Sequence, residues 1–243
     1  MEHEHNSNES GWSARETPNG LEQEQKERES NLRIAIDGPA GTGKSSVARL
    51  LSEQLGIPLL NSGQIYRSIA YSMQAEGLDL DDPEQAAAAA ASLKIKINNG
   101  IVTSIDGIDA AGILDNDSIS SATPRVARHP GVRDVVVNIQ REYVKEHGAV
   151  IEGRAIGTAV MPEADYKFYL ACDPEERARR RSLDGHNETT EHLLERDRQD
   201  SEREHAPLRI AKDAVVIDTT RLSAQGVVEQ MTAIIRTTSE SET

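Results

Sequence analysis

Leu32-Arg33-Ile34-Ala35-Ile36-Asp37-Gly38-Pro39-Ala40-Gly41-Thr42-Gly43-Lys44-Ser45 is the stretch on which the fold turns. Its first half is short and β-branched and runs into glycines, as a buried strand does before a functional turn. Ser45 to Leu55 follows with Val47, Leu50, Leu51 and Leu55 at helical spacing, and Gly56 ends it. Gly38 to Ser45 fits G-x-x-x-x-G-K-[ST] at every fixed position. Glycines let the backbone curl so that successive N–H groups point at phosphate oxygens, and the helix start adds the positive end of its dipole. The lysine of such a loop reaches the β and γ phosphates, and the hydroxyl after it ligates Mg²⁺. Gly38, Pro39, Ala40, Gly41, Thr42, Gly43, Lys44, Ser45 and Ser46 are therefore the candidate ATP-binding residues, with Ser45 as the metal ligand. A glycine-rich turn with no ligand is the competing reading. It does not explain why the motif lies between a strand and a helix, where the chemistry needs it.

Working outward, Ile57-Pro58-Leu59-Leu60 reads as a second strand. Three more candidates come late: Ala149-Val150-Ile151, Lys167-Phe168-Tyr169-Leu170 and Ala214-Val215-Val216-Ile217. Helical patterns cover Pro130 to Glu146, Pro174 to Leu183, Thr190 to Arg203 and Ser223 to Arg236. Strands alternating with helices predict an α/β fold, a three-layer P-loop architecture around a five-stranded parallel sheet. One region breaks that rhythm. Leu93 to Ile97, then Asn98-Asn99-Gly100, then Ile101 to Ile105 reads as a small antiparallel hairpin, inserted roughly between residues 82 and 118.

The 243 residues suit one or two compact domains. Lys plus Arg number 27 against 41 Asp plus Glu, a formal charge of −14 that would repel a phosphate backbone. Aromatic residues make up only 3%, too few for a base-stacking stripe, so nucleic acid is not expected as a partner. Cys172 is the sole cysteine, which excludes an internal disulfide framework and favours a reducing compartment. No apolar run approaches the ~20 residues of a membrane helix, and the first residues lack the pattern of a secretion signal. The expected setting is the cytoplasm. Residues 1–31 carry eight glutamates and few apolar side chains, so they read as a disordered acidic leader, and 237–243 as a disordered tail, around a 32–236 core.

On so acidic a chain the arginines stand out. Arg177, Arg179, Arg180 and Arg181 cluster at one helix start, and Arg196, Arg198 and Arg203 follow. Some of them pair with Glu175, Glu176, Glu195 and Glu202 on a solvated face. Several guanidiniums are also what two phosphorylated substrates and a charged transition state call for. With Asp184 to Glu188 as a turn between them, residues 177–203 read as an arginine-bearing lid with its flanking helix.

At these residues the chain resembles the bacterial cytidylate kinases, a family within the nucleoside monophosphate kinases. The resemblance runs from about Leu32 to Arg236. Beyond the P-loop it rests on Asn61-Ser62-Gly63-Gln64-Ile65-Tyr66-Arg67, Val132-Arg133, Ile151 to Thr158, Pro174 to Arg180, Glu195 to Asp200 with Arg203 and Ala206-Pro207-Leu208, and Val216 to Thr220. It implies transfer of the ATP γ phosphate to CMP or dCMP, with Mg²⁺, by a monomer. The inserted hairpin resembles the monophosphate-binding sheet of that family. Arg67, Arg154 and Arg203 would grip the acceptor phosphate with Ser62 nearby, and Arg196 and Asp200 would hold the sugar. Arg177 and Arg180 would close over the ATP phosphates, and Glu152 would orient metal-bound water. Lys44, Arg154, Arg177 and Arg180 are thus the expected catalytic residues.

Base reading is where the chain departs from the pattern. The family's arginine matches Arg133, but its serine falls on Pro124 and its aspartate on Ala155. A slip in local alignment would put Thr123 or Ser121 in the serine's place. Asn61 replaces an aspartate, Leu114 replaces an arginine, and the lid is short. Two further readings follow: a relative with altered or relaxed base choice, taking UMP for example, and a non-catalytic nucleotide-binding regulator.

Overall fold

The computed structural model describes residues 31–185 and 188–241. The expected leader up to Ser30, the pair His186-Asn187 of the turn and the last two tail residues lie outside the described residues.

β1 (Arg33–Asp37) is the centre of a parallel sheet formed with β5 (Ala149–Gly153), β6 (Tyr166–Ala171) and β7 (Val215–Asp218) in the order β5-β1-β6-β7. Ile34, Ala35 and Ile36 are fully buried, which is why this strand reads as a continuous apolar run. The expected fifth strand shrinks to a single bridge, Leu59 to Val150. Pro58 has no N–H to give and the Ile57 N–H caps the preceding helix on Ser52, so the ladder cannot extend backward. Forward, Asn61 already caps the next helix through Gln64 N. The sheet therefore has four strands.

Around it lie α1 (Lys44–Leu55), α6 (Pro174–Leu183), α7 (Thr190–Glu202) and α8 (Ala224–Ser241). α1 and α8 cover one face with β1 and β6, in a core that includes Ile34, Ile36, Leu51, Phe168, Leu170 and Met231. α8 runs past the expected end at Arg236, with the Thr237 and Thr238 hydroxyls donating to the carbonyls of Ala233 and Ile234. The expected tail is helical through Ser241.

A second core lies between β1's helix and β5 in sequence. α2 (Ser62–Ala75), α3 (Pro83–Ser92), α4 (Asp117–Ala127) and α5 (Pro130–His147) surround an antiparallel sheet of β2 (Ile95–Asn98), β3 (Ile101–Ile105) and β4 (Ile108–Asp109). Ile65, Ile69, Met73, Ile105, Val126 and Val136 fill it. The hairpin is where it was expected, but it is the edge of a helical unit. α2, α3 and α4 were not drawn from the sequence, although Ile65, Ile69 and Met73 recur at helical spacing in α2; α3 gave the weakest pattern, since its buried face is alanine alone. Leu114 is buried in this core, so it packs where the family pattern has a charged residue.

Gly100 joins the two cores. Its N–H donates to the Tyr143 hydroxyl at 2.8 Å and its carbonyl accepts from Asn61 N at 3.0 Å. With φ at +78° and an added Cβ only 2.2 Å from the Leu59 carbonyl, no other residue fits there.

Candidate active site

The P-loop leaves the carboxyl end of β1, where the strand order changes direction, the crevice in which open α/β sheets take ligands. Gly41 and Gly43 take φ of +78° and +89°, and Gly38 packs so close to Leu170 that a Cβ would lie 2.4 Å from its carbonyl oxygen. α1 starts at Lys44 with no side-chain cap, so its first N–H groups are left to the loop. Lys44 is only 6% exposed and donates from Nζ to the Pro39 carbonyl at 2.7 Å. Burial pulls its amine down to about 7, with the Arg154 charge adding to the shift and Glu152 and Asp37 opposing it.

Two carboxylates flank the loop. Asp37 is buried at the end of β1 and accepts from the backbone of Ile156 and Gly157 at 2.8 and 2.7 Å. Burial pushes its carboxyl up, against those two hydrogen bonds and the nearby Lys44 and Arg154 charges. This anchor opens the π-helical turn Ile156–Val160 and fixes the chain just after Arg154. Glu152, on the neighbouring strand, accepts from Ser45 Oγ at 3.0 Å. Hydroxyl and carboxylate oxygens together are a donor set suited to a hard cation such as Mg²⁺.

Of the residues expected on the acceptor side, Arg154 and Arg203 meet at Asp200. Arg154 Nε donates to Asp200 Oδ2 at 2.8 Å, and Arg203 pairs with the other oxygen of the same carboxylate. Asp200 is 2% exposed. Burial lowers the Arg203 pKa, and Arg133, Arg154 and Arg196 push it the same way while Asp200 opposes. The charges of Arg154 and Arg196 also bear on Lys44, which sets these two arginines within electrostatic reach of the phosphate loop. Arg133 is tied to the Ala127 carbonyl at 2.8 Å. Ser62 Oγ accepts from Gln140 Nε2 at 2.6 Å, and Arg67 Nε donates to the Gly63 carbonyl at 3.3 Å. Tyr66, beside Arg67 on α2, has its phenol raised by burial, with Arg133 and Arg203 pulling against that rise. α2 thus borders the cluster.

The two arginines expected over the ATP phosphates are placed differently. Arg180 lines a cleft of about 600 Å³ with Gly41, Thr42, Gly43, Thr220 and Leu222. Its donors are spent on Glu176, on the Thr219 hydroxyl at 3.2 Å and on the Thr219 carbonyl at 2.6 Å. Glu176 is pulled down to about 2 by Arg179 and Arg180. Arg177 is buried beneath the loop, against the Ala40 carbonyl and Asp197. In this state it does not reach the cleft. Arg196 pairs with Glu188 at 3.3 Å, and Glu188 also holds Arg181. Asp37, Asp197, Gln140 and the Thr219–Ala224 wall were missed as site residues. Asp37 carried a signal of its own, an acidic residue at the end of an apolar strand, and Asp197, Thr219 and Thr220 lie inside stretches that carry the resemblance.

The sequence profile of the cytidylate kinases matches residues 34–237. The chain belongs to the cytidylate kinase family. A cytidylate kinase of Geobacter sulfurreducens is 40% identical over 216 residues, covering 84% of this chain and 93% of that one. Similar proteins named cytidylate kinase occur in Streptomyces avermitilis, 41% identical over 213 residues (83% and 91% covered), and in Geobacillus kaustophilus, 39% identical over 215 (84% and 96%). For a cytidylate kinase the base contacts are the open point. Ala155 is buried and its methyl side chain offers no hydrogen bond, and Pro124 sits exposed inside α4. The Thr123 and Ser121 hydroxyls donate to their own helix, to the carbonyls of Ile119 and Asp117 at 2.7 Å each. Among the described residues no helix is long and apolar enough to cross a membrane.

Proposed function

We propose that this chain transfers the γ-phosphoryl group of ATP to CMP or dCMP, giving ADP and CDP or dCDP. The observation that carries the reading is the pair Arg154 and Arg203 held by buried Asp200, with the charges of Arg133 and Arg196 acting on Arg203 and those of Arg154 and Arg196 on Lys44. A phosphate loop alone fits many enzymes; a second cationic site beside it fits a phosphorylated acceptor.

In the reaction an acceptor phosphate oxygen attacks the γ phosphorus in line, and the bond to the β-bridging oxygen breaks. No side-chain nucleophile is needed, so catalysis is placement and charge stabilisation. Arg154 and Arg203, held at a fixed separation by Asp200, would seat the acceptor phosphate, with Arg67 from α2. Arg196 would exchange Glu188 for the substrate. Lys44 would leave the Pro39 carbonyl for the β and γ phosphates. Ser45 would hold Mg²⁺ with Glu152 orienting its water, and the ion when bound neutralises phosphate charge. The cleft between the P-loop and Thr219–Ala224 would take the nucleoside of ATP. An ATP-consuming chain with a lone cysteine fits the cytoplasm.

The first test is stoichiometry. Calorimetric titration of CMP into protein saturated with a non-hydrolysable ATP analogue should show one further site per chain. No second site would contradict the reading.

Loading the loop should take up protons. Burial pulls the free Lys44 amine down to about 7, and a triphosphate holds it charged. At pH 8 to 9 most free chains carry neutral Lys44, so binding should draw in up to one proton; at pH 6 the lysine is already charged and uptake should vanish. Titrating the analogue in buffers of different ionisation enthalpy measures this. Uptake that does not rise with pH would show that Lys44 stays charged in the free protein.

Ala155 favours a second reading, weakened choice between cytosine and uracil. Cytosine offers an amino donor, which a carboxylate accepts and a methyl group does not. Ala155→Asp should raise the ratio of kcat/KM for CMP over UMP by about 1–3 kcal/mol, or roughly 5- to 150-fold. A strong CMP preference in the unchanged chain, unmoved by the substitution, would place base reading on other residues.

A further inference from the structure

Arg177 is left without a task by the transfer scheme, yet it is the most deeply buried arginine described, at 2% exposure. Its Nη1 donates to the Ala40 carbonyl at 3.2 Å and lies 2.7 Å from Asp197 Oδ2. Its Nε, and the other oxygen of Asp197, are buried without a hydrogen-bond partner. A buried pair with unmet polar atoms is a poor device for stability, since apolar side chains of similar volume do as well or better. Its placement is more informative. Ala40 belongs to the phosphate loop, whereas Asp197 lies on α7 next to Arg196 and one turn before Asp200. A single nitrogen therefore bridges the two nucleotide sites.

The bridge has little slack. At Gly41 an added Cβ would meet Arg177 Cβ at 3.0 Å and the Arg177 carbonyl oxygen at 3.1 Å, so α6 lies directly on the loop. The Ala40 C=O and the Gly41 N–H share one peptide plane and point in opposite directions. Pulling on that oxygen turns the N–H that a phosphate would receive.

We propose that Arg177 and Asp197 are positioning residues that couple the acceptor site to the ATP loop. An acceptor drawn in by Arg196, Asp200 and Arg203 shifts α7, Asp197 moves with it, and Nη1 resets the Ala40–Gly41 peptide for the triphosphate. The proposal rests on the kinase reading above.

The test is the affinity of the full chain for CMP with and without a saturating non-hydrolysable ATP analogue, in the unchanged protein and in Asp197→Asn. The analogue should tighten CMP binding at least about fivefold in the unchanged protein, and that factor should fall to about one in the variant. Each ligand alone should still bind the variant. If Asp197→Asn does not fold, Arg177→Met decides, because it keeps most of the side-chain volume and removes the nitrogen that bridges Ala40 and Asp197; the same loss is expected. A factor that persists in either folded variant, or is absent from the unchanged protein, overturns the coupling alone. Failure of CMP to bind the unchanged protein at any concentration overturns the acceptor reading together with it.

Discussion

Lys44→Ala should lower kcat for phosphoryl transfer by about 10²- to 10³-fold, the usual effect of removing one preorganised electrostatic group. The lysine is buried against its own loop, and burial pulls it down to about 7 in the free protein. That amine is a poor source of stability, because its charge is penalised until an anion arrives. Its removal should leave the fold intact: Thr42 Oγ1 still donates to the Pro39 carbonyl at 3.1 Å, and α1 still packs through Val47 and Leu51. Steady-state ADP release and a thermal melt separate the two effects. A variant that melts like the parent and turns over hundreds of times more slowly is the expected result. Turnover within a few-fold of the parent would remove Lys44 from the mechanism.

Asp200→Ala should act on the other substrate. The carboxylate holds Arg154 and Arg203 and is the anion set among Arg133, Arg154, Arg196 and Arg203. Without it the guanidiniums repel one another and lose their spacing. Truncating one partner of a buried, hydrogen-bonded charge pair costs about 2–5 kcal/mol. The loss should appear in kcat/KM for CMP as roughly 30-fold to several thousand-fold. Affinity for an ATP analogue should change far less, since the P-loop keeps every contact described for it. Equal losses for both nucleotides would show that Asp200 supports the whole crevice instead of the acceptor side.

Much of this was legible along the chain. The run from Leu32 to Ser45 sets strand, loop and helix, and the P-loop can do its work only at the end of a buried strand. The arginine-rich helices were visible as a charge anomaly on an acidic chain. Local patterns do not show which partner a long side chain finds. Arg177 and Arg180 differ by three residues and look alike in sequence, yet one is buried under Gly41 and the other lines the cleft. That difference is set by which face of α6 packs on the loop, a tertiary fact. The fifth strand failed for a local reason that was legible, Pro58 in the middle of a short apolar run. The Thr219–Ala224 wall was visible only through Thr219 and Thr220, at the end of the stretch Val216 to Thr220; it becomes a site because β7 ends beside Thr42, where the Thr219 hydroxyl donates to the Thr42 carbonyl at 3.1 Å.

The central claim is that the cluster around Asp200 presents a nucleoside monophosphate to the γ phosphate held by Lys44. The most direct measurement follows a labelled γ phosphate from ATP, with Mg²⁺ and CMP present, over purified protein and its Lys44→Ala variant. The account predicts label on CMP as CDP, one unlabelled ADP for each, and loss of both with the lysine. Label released as inorganic phosphate, or ATP bound and never consumed, would contradict it.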